Sequence, residues 1–150
     1  MSEDHALDLQ DPEMIKEMLL GSGYSETAVQ YYLERSNMGS LPDADQVTEM
    51  TGFCGDTMKL FLKFDQDRIQ DAKIQVLGCP GAVASAMVVT EMIKGMTMQE
   101  AGQIKDRDVF RRLVDLPDQK QHCIRLTVKT LRQALEDYRQ KNHSSPEEMS

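Results

Sequence analysis

No stretch of this sequence approaches the roughly 20 consecutive apolar residues that a membrane-spanning helix needs, and no apolar segment stands at its start in the manner of a secretion signal. A helical membrane protein is not expected. The first residues, Ser2-Glu3-Asp4-His5-Ala6-Leu7-Asp8, carry acids where a mitochondrial transit segment is Arg-rich and acid-poor. Positive charge is in deficit, with 17 Lys and Arg against 25 Asp and Glu and a formal net charge of -8. Nucleic-acid affinity rests largely on Lys and Arg neutralising phosphates, so this balance argues against a nucleic-acid binder and suits an acidic protein that meets other proteins. Cysteine is scarce and odd in number: three residues, widely spaced. That pattern is no disulfide framework; it points to a reducing compartment, with the cytoplasm as the expected location. There is no internal repeat, and 150 residues suffice for one packed core but not for two ordinary domains.

What is present reads as alternating helix and strand signals. Asp11-Pro12 ahead of Met14, Ile15, Met18 and Leu19, with Gly21 after them, predicts a short capped amphipathic helix. A second helix is expected after Ser25, through Val29 and Leu33. Residues 35–53 contain Gly39, Pro42 and Gly52 with little periodicity, and are expected to be loop. Met58, Leu60, Leu62 and Phe64 then recur at every second position, Asp65-Gln66-Asp67-Arg68 supplies a turn, and Ala72, Ile74 and Val76 share one face of a strand over 69–77; together these predict a hairpin. Pro80 opens a helix to Lys94 that is apolar almost all round and therefore buried. Thr97-Met98-Gln99-Glu100 is a capping box, Asp106 is the expected cap of a helix through Leu113, and a last helix after Pro117 carries the stripe Ile124, Val128, Leu131, Leu135 and Tyr138. The expected fold is α+β, a small antiparallel sheet packed against several helices.

The three cysteines fall in separate motifs, Cys54-Gly55-Asp56, Gly78-Cys79-Pro80-Gly81 and His122-Cys123. Thiolates are ligands for iron-sulfur clusters, zinc or cuprous copper, and a fourth position can be taken by imidazole or carboxylate. Asp56 and His122 both stand where they could fill it. Each residue also has a plainer reading: Cys79 as a buried core thiol, Asp56 as a turn residue, His122 as an ordinary helix-start residue. The conjunction favours a shared site. The hairpin places Cys54 and Cys79 at the same end of the sheet. Cys79 and Cys123 each precede or open a helix, where the positive end of the dipole favours thiolate, so both are expected to ionise more easily than a free cysteine.

The motifs and their order resemble the U-type iron-sulfur cluster assembly scaffolds, the family of IscU and the N-terminal domain of NifU. The resemblance runs from Tyr24-Ser25-Glu26 and Asn37-Met38-Gly39, through Cys54-Gly55-Asp56 and Gly78-Cys79 with Ala84-Ser85, to Leu116-Pro117 and His122-Cys123. It implies a NifU-like scaffold domain over residues 24–142, preceded by an extension with a short helix over 1–23 and followed by a disordered tail over 143–150. It further implies a labile cluster, of the 2Fe-2S type, on Cys54, Asp56, Cys79, His122 and Cys123, with zinc fitting the same donors in isolated protein. Asp56 then contributes to the cluster's lability, and Cys123 is the candidate acceptor of persulfide sulfur. The implied partners are a cysteine desulfurase, an electron donor protein and cluster-recipient apoproteins, and a homodimer is compatible with the family. Two stretches depart from the family pattern: Leu116-Pro117-Asp118-Gln119-Lys120 stands where the chaperone-recognition sequence is Leu-Pro-Pro-Val-Lys, which argues against a dedicated chaperone, and Glu34-Arg35-Ser36-Asn37 replaces Asn-Pro-Arg-Asn.

Two other functions compete with the scaffold. A zinc-binding interaction module could use the same Cys, Asp and His residues. A thiol enzyme with His122 as base for Cys123 leaves Cys54 and Cys79 unexplained, and adjacent residues at a helix start do not face one another. A non-enzymatic role is the expectation.

Overall fold

The computed structural model describes residues 11–53 and 55–143. Helix α1, Pro12–Gly21, is capped by Asp11, whose carboxylate accepts from the Glu13 N–H at 3.0 Å, with proline at the first position. None of its residues is buried, although Leu19 rests on the core. Helix α2, Glu26–Glu34, is capped by Ser25, which accepts from the Ala28 N–H and donates its hydroxyl to the Leu113 carbonyl. It closes on Arg35 in the left-handed region, φ 47°.

Three strands follow in an antiparallel meander ordered as in the chain: β1, Gln46–Thr51; β2, Thr57–Asp65; β3, Arg68–Leu77. The β2–β3 hairpin matches the alternation of the sequence, with Met58, Leu60, Leu62, Ile69, Ala72 and Ile74 buried. Strand β1 contradicts the expectation that residues 35–53 are loop. Its inward positions Gln46 and Thr48 are polar, so it carries no apolar alternation to read. Hydrogen bonds accommodate them in part: Gln46 Nε2 donates to Thr48 Oγ1 at 2.9 Å and Thr48 donates to Asp137 Oδ2 at 3.2 Å, while Gln46 Oε1 is buried without a partner among the described residues.

Helix α3, Pro80–Ile93, lies at the centre. It is buried from Gly81 to Thr90, and it packs against β3, α2 and two later helices. After it come α4, Met98–Gly102, with the expected Thr97/Glu100 capping box, and α5, Asp106–Leu113. The cap of α5 differs from expectation. Asp106 is already inside the helix, Lys105 takes the cap position, and its N–H donates to Asp108 Oδ2 at 2.9 Å. A 3-10 turn at Asp118–Lys120 leads into α6, His122–His143. The stripe of α6 buries Ile124, Val128, Leu131 and Leu135, and Tyr138 stacks on Phe64 with ring centroids 4.0 Å apart. Helix α6 thereby clamps the sheet to α3. Among the described residues no helix is long and apolar enough to cross a membrane. The sequence-based expectations for residues 1–10 and for the tail beyond His143 lie outside the described residues.

Leu131 is fully buried on the face of α6 that meets the core. Leu131→Ala is expected to destabilise the protein by about 3 kcal/mol through lost burial and the cavity left behind. Urea unfolding should show a lower midpoint with an unchanged slope; an unchanged midpoint would show that α6 is not integral to the core.

Candidate metal centre

The site is built where three chain reversals meet at one end of the sheet. Strands β1 and β2 are joined by a tight turn in which the Gly52 N–H donates to the Asp56 carbonyl at 2.8 Å and the Gly55 N–H to the Gly52 carbonyl at 3.0 Å. Gly55 holds φ +95°, a conformation that a side chain would strain. The register then sets Thr57 opposite Leu77, which brings Asp56 alongside Gly78. A Cβ at position 78 would lie 2.8 Å from Asp56 Cγ and 2.9 Å from Oδ1. Glycine is therefore required there for the carboxylate to lie across the backbone leading to Cys79.

Cys79 is the cap residue of α3, and Cys123 sits in the first turn of α6. Their sulfurs are 3.3 Å apart, and Asp56 Oδ2 lies 3.8 Å from Cys79 Sγ and 3.7 Å from Cys123 Sγ. His122 completes the group: one ligand atom from each of Asp56, His122 and Cys123 falls within 4.8 Å of the others. Of the five residues expected at the site, Asp56, Cys79, His122 and Cys123 are brought together. Cys54 lies outside the described residues. Asp56 and Cys123 belong to two overlapping trios, one completed by Cys79 and one by His122, and such donors suit a soft or borderline metal ion.

The two thiols do not share the expected ease of ionisation. The Cys79 thiol is brought down to about 6, chiefly because Cys123 donates a hydrogen bond to it; the Ala82 N–H and the Lys120 charge add to this, and burial and Asp56 oppose it. Cys123 is pushed well above the ordinary thiol range because its proton is the one held between the sulfurs, and burial and the Asp56 carboxylate reinforce this. Both cysteines do stand at helix starts, but two sulfurs in contact accommodate one negative charge, and the more exposed one takes it. Cys123 itself is 0% exposed.

Tyr24 is a neighbour that carried no site role in the sequence reading. Burial raises its hydroxyl to about 12, the charges of Cys79 and Cys123 add to this, and the backbone of Gly81 hydrogen-bonds to it. Its only sequence signal was the Tyr24-Ser25-Glu26 motif. Phe53 is the other. Its ring lies 5.3 Å from that of His122, tilted by 52°, yet the residue is 91% exposed.

A small antiparallel sheet packed against helices, whose open end carries thiols, a carboxylate and an imidazole, defines an α+β protein with a candidate metal site. More narrowly, residues 23–145 match the NifU-like N-terminal domain, and the chain belongs to that family. It is 40% identical over 120 residues to the iron-sulfur cluster assembly scaffold protein IscU 1 of Archaeoglobus fulgidus, covering 79% of this chain and 78% of the relative. It is 37% identical over 126 residues to the scaffold protein IscU of Escherichia coli, covering 81% and 98%. Among solved structures, a putative iron-sulfur cluster assembly scaffold protein for the SUF system from Fervidobacterium islandicum superimposes with a TM-score of 0.63 at 28% identity, covering 75% of this chain and 96% of that one.

In metal-free protein, alkylation of Cys79 is expected to accelerate as pH rises through about 6 and then level off, because the thiolate is the reacting form and is present only above that value. Cys123 should react far more slowly across the same range. Iodoacetamide labelling followed by peptide mass spectrometry distinguishes the two, and faster labelling of Cys123 would contradict the assignment of the charge to Cys79.

Proposed function

We propose that this chain is a scaffold on which ferrous iron and sulfide are assembled into a labile iron-sulfur cluster and then passed to recipient proteins. The observation that carries this reading is the convergence of Asp56, Cys79, His122 and Cys123 at one end of the sheet, in a chain belonging to a family whose relatives bear the scaffold name. Three thiolates, from Cys54, Cys79 and Cys123, with Asp56 or His122 as the fourth donor, match the ligand number of a 2Fe-2S cluster. An oxygen or nitrogen ligand among sulfurs holds soft iron less firmly than a fourth thiolate, which suits cargo that must leave. The protein turns over no substrate of its own in this reading. Sulfur comes from a cysteine desulfurase, electrons from a donor protein, and the work is done in the reducing cytoplasm, where free thiols persist. Zinc would occupy the same donors, so metal content after anaerobic purification is the first measurement, and anaerobic reconstitution with iron, cysteine and a desulfurase is the decisive one. A chain that binds zinc but develops no cluster absorption would overturn the scaffold reading.

Asp56 is the oxygen donor nearest both sulfurs. Asp56→Ala is expected to lengthen the lifetime of the bound cluster and to slow its transfer to an apoprotein. Transfer rates equal to those of the unaltered protein, measured by circular dichroism with the same acceptor, would remove Asp56 from the release step.

We assign sulfur acceptance to Cys123. Its burial and the proton it holds keep it unreactive in the free chain, so the desulfurase must expose it by displacing the 3-10 turn ahead of α6. Cys123→Ser should accordingly lose the added sulfur seen by mass spectrometry after incubation with desulfurase and cysteine, while Cys54→Ser retains most of it. Label found mainly on Cys79, the readier thiolate, would reassign the acceptor without touching the scaffold function.

A further inference from the structure

Positive charge in this acidic chain is concentrated in the segment that carries His122 and Cys123: residues 105–132 hold eight of the 17 Lys and Arg but only four of the 25 Asp and Glu. Within that segment a cavity of about 350 Å³ lies between the first turns of α5 and α6. Phe110 and Ile124 give it apolar walls, Arg107 and Arg125 give it two guanidinium groups, and Asp106 gives it one carboxylate. Arg125 is tied to Asp106 only through Nε, at 3.6 Å, and its side chain stays 72% exposed. The Arg107 side chain makes no hydrogen bond or ion pair with any described residue. The cavity thus carries more positive than negative charge and has guanidinium donors free for a planar carboxylate. Its volume suits a small molecule. His122 is also part of the wall, so a ligand seated there ends beside the group formed by His122, Asp56 and Cys123.

We propose that this cavity binds a small thiol bearing carboxylate groups and presents its sulfur to iron held at the site. The carboxylates are received by Arg107 and Arg125, an ammonium group by Asp106, and the apolar stem by Phe110 and Ile124. The thiol sulfur then forms a bond to iron as the Asp56 oxygen leaves, and the thiol proton passes to the displaced carboxylate; no electrons are transferred. Soft iron favours thiolate over carboxylate, so the exchange loosens the cluster from the protein without the help of another macromolecule. This deepens the scaffold reading and rests on it for the role of the exchange, whereas the binding itself does not depend on a cluster.

Glutathione is the probe. Titrated into the metal-free protein and followed by amide chemical shifts, it should bind saturably in the millimolar range or tighter, with shifts at Arg107, Phe110 and Arg125. The double variant Arg107→Gln/Arg125→Gln should bind at least ten-fold more weakly. In cobalt-loaded protein, glutathione should add thiolate-to-cobalt charge-transfer absorption, while S-methylglutathione and inorganic phosphate should not. Absence of saturable binding, or equal binding by the double variant, would overturn the site. Binding of glutathione and S-methylglutathione alike, with no change in the cobalt spectrum, would overturn the exchange. A chain that binds glutathione as described yet assembles no cluster supports the cavity and defeats only the scaffold reading.

Discussion

The candidate metal centre depends on the burial of α3. A helix that is apolar on every side from Gly81 to Thr90 has nowhere stable to lie except between the sheet and the surrounding helices, and that placement anchors its first turn at the end of β3. Cys79 is consequently not on a mobile loop. It is the cap of the most deeply buried helix in the described structure, with its carbonyl already engaged by the N–H groups of Ala82 and Val83. The long helix α6 packs across α3 and β1 and delivers Cys123 to within 3.3 Å of Cys79. Two helix starts and a sheet end are held together by core packing, and the chemistry is arranged on the meeting point.

That arrangement has an electrostatic consequence. Two sulfurs in contact, with a carboxylate less than 4 Å from each, cannot both be ionised in a medium poorer in water than bulk. The free protein resolves this by leaving one proton between the thiols. A cation placed among the same groups would convert mutual repulsion into attraction. Gly78 belongs to the same design, since any side chain there would displace the Asp56 carboxylate.

The sequence was most informative where pattern and burial coincide. The hairpin and the apolar α3 were visible because local chemistry and tertiary environment ask for the same residues, and the caps of α1 and α4 because capping is local chemistry alone. Strand β1 was not visible, because its inward positions are the polar Gln46 and Thr48, and the partner that holds Thr48, Asp137, lies on α6, far along the chain. The cap of α5 went to Lys105 and Asp108 in place of Asp106 for a similar reason: two acids two residues apart offer the same local signal, and only the helix's own position selects between them.

Residue type and spacing by themselves determined the candidate ligands, the family resemblance and the α+β class, since thiol, carboxylate and imidazole in three flanked motifs leave few other chemistries. What the tertiary structure alone decided was how the groups share charge. Helix-start position raises the expectation of thiolate for Cys79 and Cys123 alike, but the 3.3 Å contact between them is a property of packing, and it assigns the charge to one sulfur and the proton to the other. The same holds for Tyr24, which is drawn into the field of both thiols, and for the arginines of α5 and α6, which are eighteen positions apart in the chain and share one cavity only because their helices pack. Local sequence encodes which groups are present; distances between groups from separate elements exist only once the core has formed.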